Sequence, residues 1–468
     1  MWNDFRSLLT ALRPAFSRKA TYCWFVVVFV GFIVRYDTLG VTSIVRALGL
    51  PPASYLCLLH FFHSTAWTAE GLMRLWWAWL AQKQVAHTVN GRIVLTGDHT
   101  KTPKDGRKIP AVTTLHQDSE TGSKPSFFRG HDWGCIALVV AARGRFFSTP
   151  LLASIHEGLA GLSNNPKIPK TLRIILMAQQ IARALGRRSY LALDAYFAAA
   201  SVFTAARKEL LDGEPLVHVL ARSKKTTVGY HPAIRKCRRG PGRHKKYGKK
   251  IRLYDLFDSR ARAYAFSTAT ASVYVKTETV RYLALNLLWK PTKCLVRFIL
   301  IESSRGPIVL QTTDLTLDPL LALHLYCRRA SIESMFDALK NTLGGVAYHF
   351  WSAYLAPASR RPRKNTATQK SSKPCATRNT FAAIEKFVNL QLLVLGSLQI
   401  LAKLYPAEIV AKANCWLRTV STNTPSEFVA RIALTNTIHQ FLVAIAKDPI
   451  AAIIRRKQGN QAIDSVAA

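Results

Sequence analysis

Three features of the sequence predict an α/β protein with a mixed sheet, flanked by an N-terminal and a C-terminal helical region. Between residues 92 and 220 the apolar runs come in the order strand, hairpin, helix, strand, the order of an α/β unit. Residues 1–88 read as helical and rich in aromatics, with Trp67, Trp76, Trp77 and Trp79 beside Phe61 and Phe62. Near the other end, Thr424-Pro425-Ser426-Glu427 has the form of a capping box with Pro at the first helical position.

The elements follow in order. Residues 22–34 form an apolar run between Lys19 and Arg35. At about 1.5 Å rise per residue the run is too short for a ~30 Å hydrocarbon core. With no small-residue cleavage site it does not read as a secretory signal either, so a buried helix is expected. Ile93, Val94 and Leu95 predict a short strand ending at Gly97-Asp98, with a polar, Lys-rich loop running on to about Arg129. Residues 134–142 and 145–155 flank Arg143-Gly144 as a hairpin. Helical spacing over 171–185 stops at Gly186, and strands are expected at 190–193, running into Asp194, and at 216–220. Alternating stretches at 272–276, at 296–302 and, after a Gly306-Pro307 turn, at 308–313 predict a β-rich insertion over 223–319. A long helix over 320–343 follows, then a Ser/Thr/Lys/Arg-rich stretch, 359–378, with no carboxylate, read as a flexible linker. The expected division is 1–88 helical, 89–222 first part of the core, 223–319 insertion, 320–350 last helix of the core, 351–378 basic linker and 379–468 C-terminal helices.

Charge narrows the partner. The chain has 65 Lys+Arg against 26 Asp+Glu, a net charge of +39, and 49% hydrophobic residues. A disordered polycation lacks the apolar residues that offset chain entropy, and an enzyme of small metabolites has no need of such a field. A folded protein of about two to four domains whose partner is a polyanion remains, with nucleic acid first and an anionic membrane surface second. The eight cysteines contain no C-x-x-C pair, which argues against a zinc module and for a reduced, cytoplasmic thiol set. The basic run over 222–252 has thirteen Lys/Arg and no acid. Its Gly240-Pro241-Gly242 lacks a preceding strand and a G-K-[ST] ending, so it is no phosphate-binding loop for nucleotide hydrolysis.

Carboxylates beside a phosphodiester need a purpose, and holding Mg²⁺ is the commonest. At about 100° per residue, Tyr326, Arg329, Glu333 and Lys340 share one face of the helix over 320–343, bordering the apolar stripe of Leu325, Ile332, Met335, Phe336, Leu339 and Leu343. Asp337 lies on the same face and rivals Glu333.

Tyr326-x2-Arg329-x3-Glu333-x6-Lys340 resembles the Y-R-E-K motif of the DDE transposases encoded by insertion sequences of family four. Thr312-Thr313-Asp314-Leu315 and Gly130-His131-Asp132-Trp133 are similar to that family as well. The family's D-x-T is matched by Asp98-His99-Thr100, and its second aspartate by Asp194 at the end of Tyr190-Leu191-Ala192-Leu193. The resemblance implies an RNase H-like catalytic core with a β-rich insertion, cut-and-paste DNA transposition, and a triad of Asp98, Asp194 and Glu333. That triad is expected to hold two Mg²⁺ or Mn²⁺ ions. Asp105 or Asp132 competes with Asp98, and Asp212 or Asp314 with Asp194.

By the same resemblance Tyr326, Arg329 and Lys340 grip phosphates near the cut, and Trp289 is the candidate to hold a flipped base. Arg238, Arg239, Arg243, Lys245 and Lys246 are expected to follow DNA backbone. The partners implied are double-stranded DNA, as element ends and as target, and a second copy in a dimer, with no membrane. Two other readings stand beside this one: a basic DNA-binding protein or degenerate transposase that binds without cutting, and a membrane-surface protein anchored through 22–34.

Overall fold

A computed structural model describes residues 1–117, 126–233, 245–258, 264–274, 276–359, 369–417, 423–443 and 448–459. It shows a mixed α/β protein with a large mixed sheet and helical segments at both ends of the chain.

Helix α1 (Lys19–Val34) is apolar on every side, and residues 25–34 are all buried, as a helix without a polar face must be. Strand β1 (Arg92–Pro103) is longer than expected: it does not end at Gly97-Asp98 but runs on to Pro103. Pairing with β2 (Phe127–Ala142) carries it past the glycine. The amide of Lys104 donates to the Arg129 carbonyl at 2.9 Å, and Gly130 permits this approach, since a Cβ there would lie 2.2 Å from the Thr102 carbonyl. β2 and β3 (Arg145–Ile155) form the expected hairpin, turning through Arg143 and Gly144 at φ +45° and +79°. Helix α2 (Lys170–Leu185) stops at left-handed Gly186.

β4 (Ser189–Leu193) and β5 (Val217–Arg222) follow, then β6 (Val228–Pro232) and β7 (Tyr247–Arg252). The alternation at 272–276 falls where one strand ends at Val273 and β8 (Lys276–Trp289) begins, so it marks a hairpin end and not a strand. β9 (Cys294–Ser303) and β10 (Gly306–Thr312) complete this meander, their turn at Ser304-Arg305 falling two residues before Gly306-Pro307.

The expected long helix is broken. α3 (Pro319–Arg329) ends at Ala330, α4 (Ser331–Asp337) follows, and residues 338–342 form a π-helical turn. At the break the Ser331 hydroxyl donates to the Arg328 carbonyl at 2.7 Å, the local side-chain bond with which serine competes with helix. The linker reading holds less of the chain than expected. The Ala356 amide donates to the Lys370 carbonyl, and α5 (Pro374–Leu404) begins on Pro374, inside that stretch. Helix α6 (Glu427–Val443) starts two residues later than the capping box suggested: Ser426, not Thr424, lies before its first residue, with its hydroxyl 3.5 Å from the Val429 amide.

The chain divides into two compact units. The first comprises 1–86, 99–168 and 333–468, and its centre is α5. Among the described residues α5 is the one helix long and apolar enough to cross a membrane, yet 89% of its most apolar window is buried in protein. Asn389 fixes α5 to β3, exchanging bonds of 3.0 and 2.8 Å with the Ala153 amide and carbonyl. Trp76 and Trp77 donate their ring N–H groups to the carbonyls of Pro150 and Leu151 on the same strand, at 3.0 and 2.7 Å. These bonds satisfy polar atoms that burial would otherwise penalise.

The second unit comprises 87–98 and 169–332. Its strands run in the order β7, β6, β8, β9, β10, β5, β4 and the first half of β1. β1, β4 and β5 are parallel and the others antiparallel. Helix α3 packs on β4 and β5, so the parallel strands are covered as parallel strands require.

Candidate active site

Asp98 and Asp194 lie just beyond the last residues paired between two adjacent parallel strands in the second unit. Ile93 pairs with Ser189 and Thr96 with Ala192. Asp98 and Asp194 each follow the last residue paired in this ladder by two positions, Asp194 lying one residue past the end of β4. Asp194 is extended, at φ −78° and ψ 173°, ahead of a short 3₁₀ turn over Ala195–Phe197. Its carboxylate makes no capping bond to that turn, so the helix-cap role that competes with a catalytic one is not taken up.

Helix α3 brings two motif residues to this place. Arg329 directs Nη1 to Asp98 Oδ2 at 3.3 Å, with 13% and 23% of the two side chains exposed. Tyr326 is buried and lies 5.9 Å, ring centre to guanidinium carbon, from Arg329. Burial raises the Tyr326 phenol pKa, Arg329 opposes that, Asp194 adds to it and Arg222 opposes it again. Tyr326 is therefore a neutral hydroxyl next to Asp194 and two guanidinium groups. Arg222, at the end of β5, had no motif to mark it in the sequence.

The motif's other half belongs to the first unit. Glu333 is exposed in the first turn of α4. Lys340 sits on the π-helical turn and donates to the Lys101 carbonyl at 3.3 Å. Burial lowers its pKa, and Asp337 partly offsets this. Ala330, at φ −58° and ψ −22°, separates α3 from α4 and the last turn is π-helical, so the four residues expected on one continuous helix lie in successive helical segments. Among the described residues no set of three or more His, Cys, Asp or Glu side chains is gathered as a metal cluster.

The rival aspartates lie in several different settings. Asp314 is buried and accepts the Tyr190 hydroxyl at 2.7 Å on Oδ2, while Oδ1 accepts the Thr316 amide and hydroxyl at 2.9 and 2.8 Å. Burial pushes its pKa up, but the bonds from Tyr190 and Thr316 outweigh that and hold it below the usual value. His218 stacks on Tyr190 with ring centres 5.8 Å apart, and burial lowers its pKa to about 4. Asp212 sits at φ +53° beside Gly213 on an exposed hairpin tip. Asp132 is fully buried within β2, Asp105 is exposed beyond β1, and Asp337 accepts the Asn341 amide at 2.6 Å.

Trp289 ends β8 buried, its ring edge-to-face with Phe203 at 5.3 Å. Lys245 and Lys246 are exposed just before β7. Arg238, Arg239 and Arg243 lie outside the described residues. No protein-family model and no curated protein sequence matches the chain.

Proposed function

We propose that the protein is a DDE transposase with an RNase H-like core, cutting double-stranded DNA at the ends of a mobile element and joining those ends to target DNA. The observation that carries this reading is that α3 brings Arg329 to Asp98 at 3.3 Å and Tyr326 into the field of Asp194, the two aspartates following the ends of adjacent parallel ladders. The arrangement around β1 supports it: a hairpin pairs along its second half, and two parallel strands follow along its first.

The donors fit a hard cation. Asp98 and Asp194 offer carboxylate oxygens only, with Glu333 as the third, which suits Mg²⁺ or Mn²⁺ and not zinc. Two such ions, when bound, supply activation of an attacking oxygen and neutralisation of a leaving one. The chain's own residues do the rest. Arg329 presents a planar fork to a phosphate and Lys340 a point charge, while Tyr326 donates a hydroxyl that stays protonated at neutral pH. Water attacks the phosphorus at the element end, and the 3′-oxygen leaves as a hydroxyl. That hydroxyl then attacks a target phosphodiester, releasing one target 3′-hydroxyl for each bond made. The cationic surface of the insertion, Lys245 and Lys246 included, binds backbone without reading bases.

The test is strand cleavage of labelled element-end DNA by Asp98→Ala, Asp194→Ala and Glu333→Ala. All three are expected to bind ends like the parent and to lose Mg²⁺-dependent cleavage. Parental cleavage by all three refutes the triad. A parent that binds DNA and never cuts selects the non-catalytic binding protein instead.

A further inference from the structure

We infer that Arg35 and Arg431 are positioning residues for the segment bearing Glu333 and Lys340, clasping its C-terminal carbonyls from the two ends of the chain; this rests on the transposase reading. A helix leaves its last carbonyls without intrahelical donors. Here that end is buried: Leu343 is fully inaccessible, and Leu339 nearly so. Three successive carbonyls are instead met by guanidinium groups. Arg431 of α6 donates to Thr342 at 2.6 Å. Arg35, just past α1 and 1% exposed, donates to Leu343 and, at 3.3 Å, to Gly344.

Both arginines are themselves held. Arg35 spends its other terminal nitrogen on the Gly40 carbonyl and the Ser43 hydroxyl, at 3.3 and 3.1 Å. Arg431 also donates to the carbonyls of Ile33, at 2.8 Å, and Arg35. Gly344, at φ +62°, leaves no room for a side chain, since a Cβ would lie 2.4 Å from Thr38. The bonded partners of both cations are neutral oxygens, and those of Ile33, Arg35, Thr342, Leu343 and Gly344 lie at the ends of α1 and of the π-helical turn, where the helix dipole favours positive charge. A planar fork that bridges several carbonyls has no equivalent in a lysine.

The segment from Glu333 to Thr342 spans about 13 Å at helical rise, so loosening the clasped end displaces the carboxylate at the other. A misplacement of about 1 Å costs up to about a hundredfold in rate. α6 thus serves the segment that bears Glu333 and does more than pack or dimerise.

The experiment compares Arg431→Gln and Arg431→Lys with the parent in the full chain. It measures thermal midpoint, end binding, single-turnover cleavage and hydrogen exchange of amides 334–343. The expected result for both variants is exchange faster by about tenfold or more, cleavage slower by roughly ten- to a hundredfold, and end binding within about twofold of the parent. Arg431→Lys recovers the midpoint but not the cleavage rate, which a purely structural role does not produce. Unchanged exchange overturns the clasp, and parental cleavage with faster exchange overturns the positioning role. The exchange readout needs no activity. Parental cleavage by Glu333→Ala therefore removes Glu333 from the triad, and the positioning role with it, through a different measurement.

Discussion

Replacing Tyr190 by Phe isolates one hydroxyl in the second unit. Tyr190 is 1% exposed and donates to Asp314 at 2.7 Å. Its ring stacks on His218 and lies 5.8 Å from the Arg92 guanidinium, and the ring keeps both neighbours after the change. The variant lacks one charge-assisted bond to a buried carboxylate, worth about 1.5–3 kcal/mol. The sign with pH follows from Asp314, whose folded pKa is held below the ordinary carboxyl value of 3.8 by Tyr190 and Thr316 against the upward push of burial. A depressed carboxylate stabilises the fold above its unfolded pKa and loses that contribution as pH falls through the folded one. Tyr190→Phe lessens the depression, so its deficit is full at neutral pH and narrows below about pH 3.8. Urea unfolding of the parent, Tyr190→Phe, Asp314→Asn and the double variant measures this, with a coupling of about 1 kcal/mol or more expected from the cycle. A deficit under about 0.5 kcal/mol at neutral pH, within the range of ordinary surface changes, refutes the reasoning. So does a deficit that is equally large in acid.

Two further outcomes follow from charge. Burial lowers the pKa of Lys104 and of Lys386 to about 8 each, so between that value and 10.5 the unfolded chain binds more protons than the folded one. Stability contributed by each lysine therefore rises with pH across that window, by on the order of 1–3 kcal/mol. Denaturant unfolding of the parent and of Lys104→Met at several alkaline pH values checks this, the variant showing the smaller rise. Lys249 and Lys250 are exposed on β7. Changing both to Gln is expected to reduce the salt dependence of DNA binding by about 0.9 in log–log slope for each phosphate that is no longer neutralised, measured by fluorescence anisotropy. An unchanged slope removes β7 from the DNA surface.

What could be read from the sequence was local. The hairpin at Arg143-Gly144, the stop at Gly186 and the buried run before Arg35 each follow from a few neighbouring residues, and the structure places them as expected. The strand carrying Asp98 was cut short because Gly97 reads as a breaker. Only the partner strand, with Gly130 opened to the Thr102 carbonyl, reveals why pairing continues. The Y-R-E-K spacing predicts one uninterrupted helix, whereas the chain turns at Ala330, where the Ser331 hydroxyl donates to the Arg328 carbonyl.

This interruption also changes what the spacing of the motif means. Tyr326 and Arg329 end α3 and stand with Asp98 and Asp194, whereas Glu333 and Lys340 belong to a segment whose far end is fixed by Arg35 and Arg431. A strict sequence spacing across such a break cannot be maintained by helix periodicity alone. In the second unit α3 packs on β4 and β5, and in the first unit guanidinium groups satisfy the carbonyls where the π-helical turn stops. Those two arginines lie 308 and 89 positions from the carbonyls they serve, beyond the reach of any periodicity. Each is an isolated arginine in a chain with 65 Lys+Arg. The net charge that first pointed to a polyanion thus also contains cations whose guanidinium groups are spent on carbonyls within the fold.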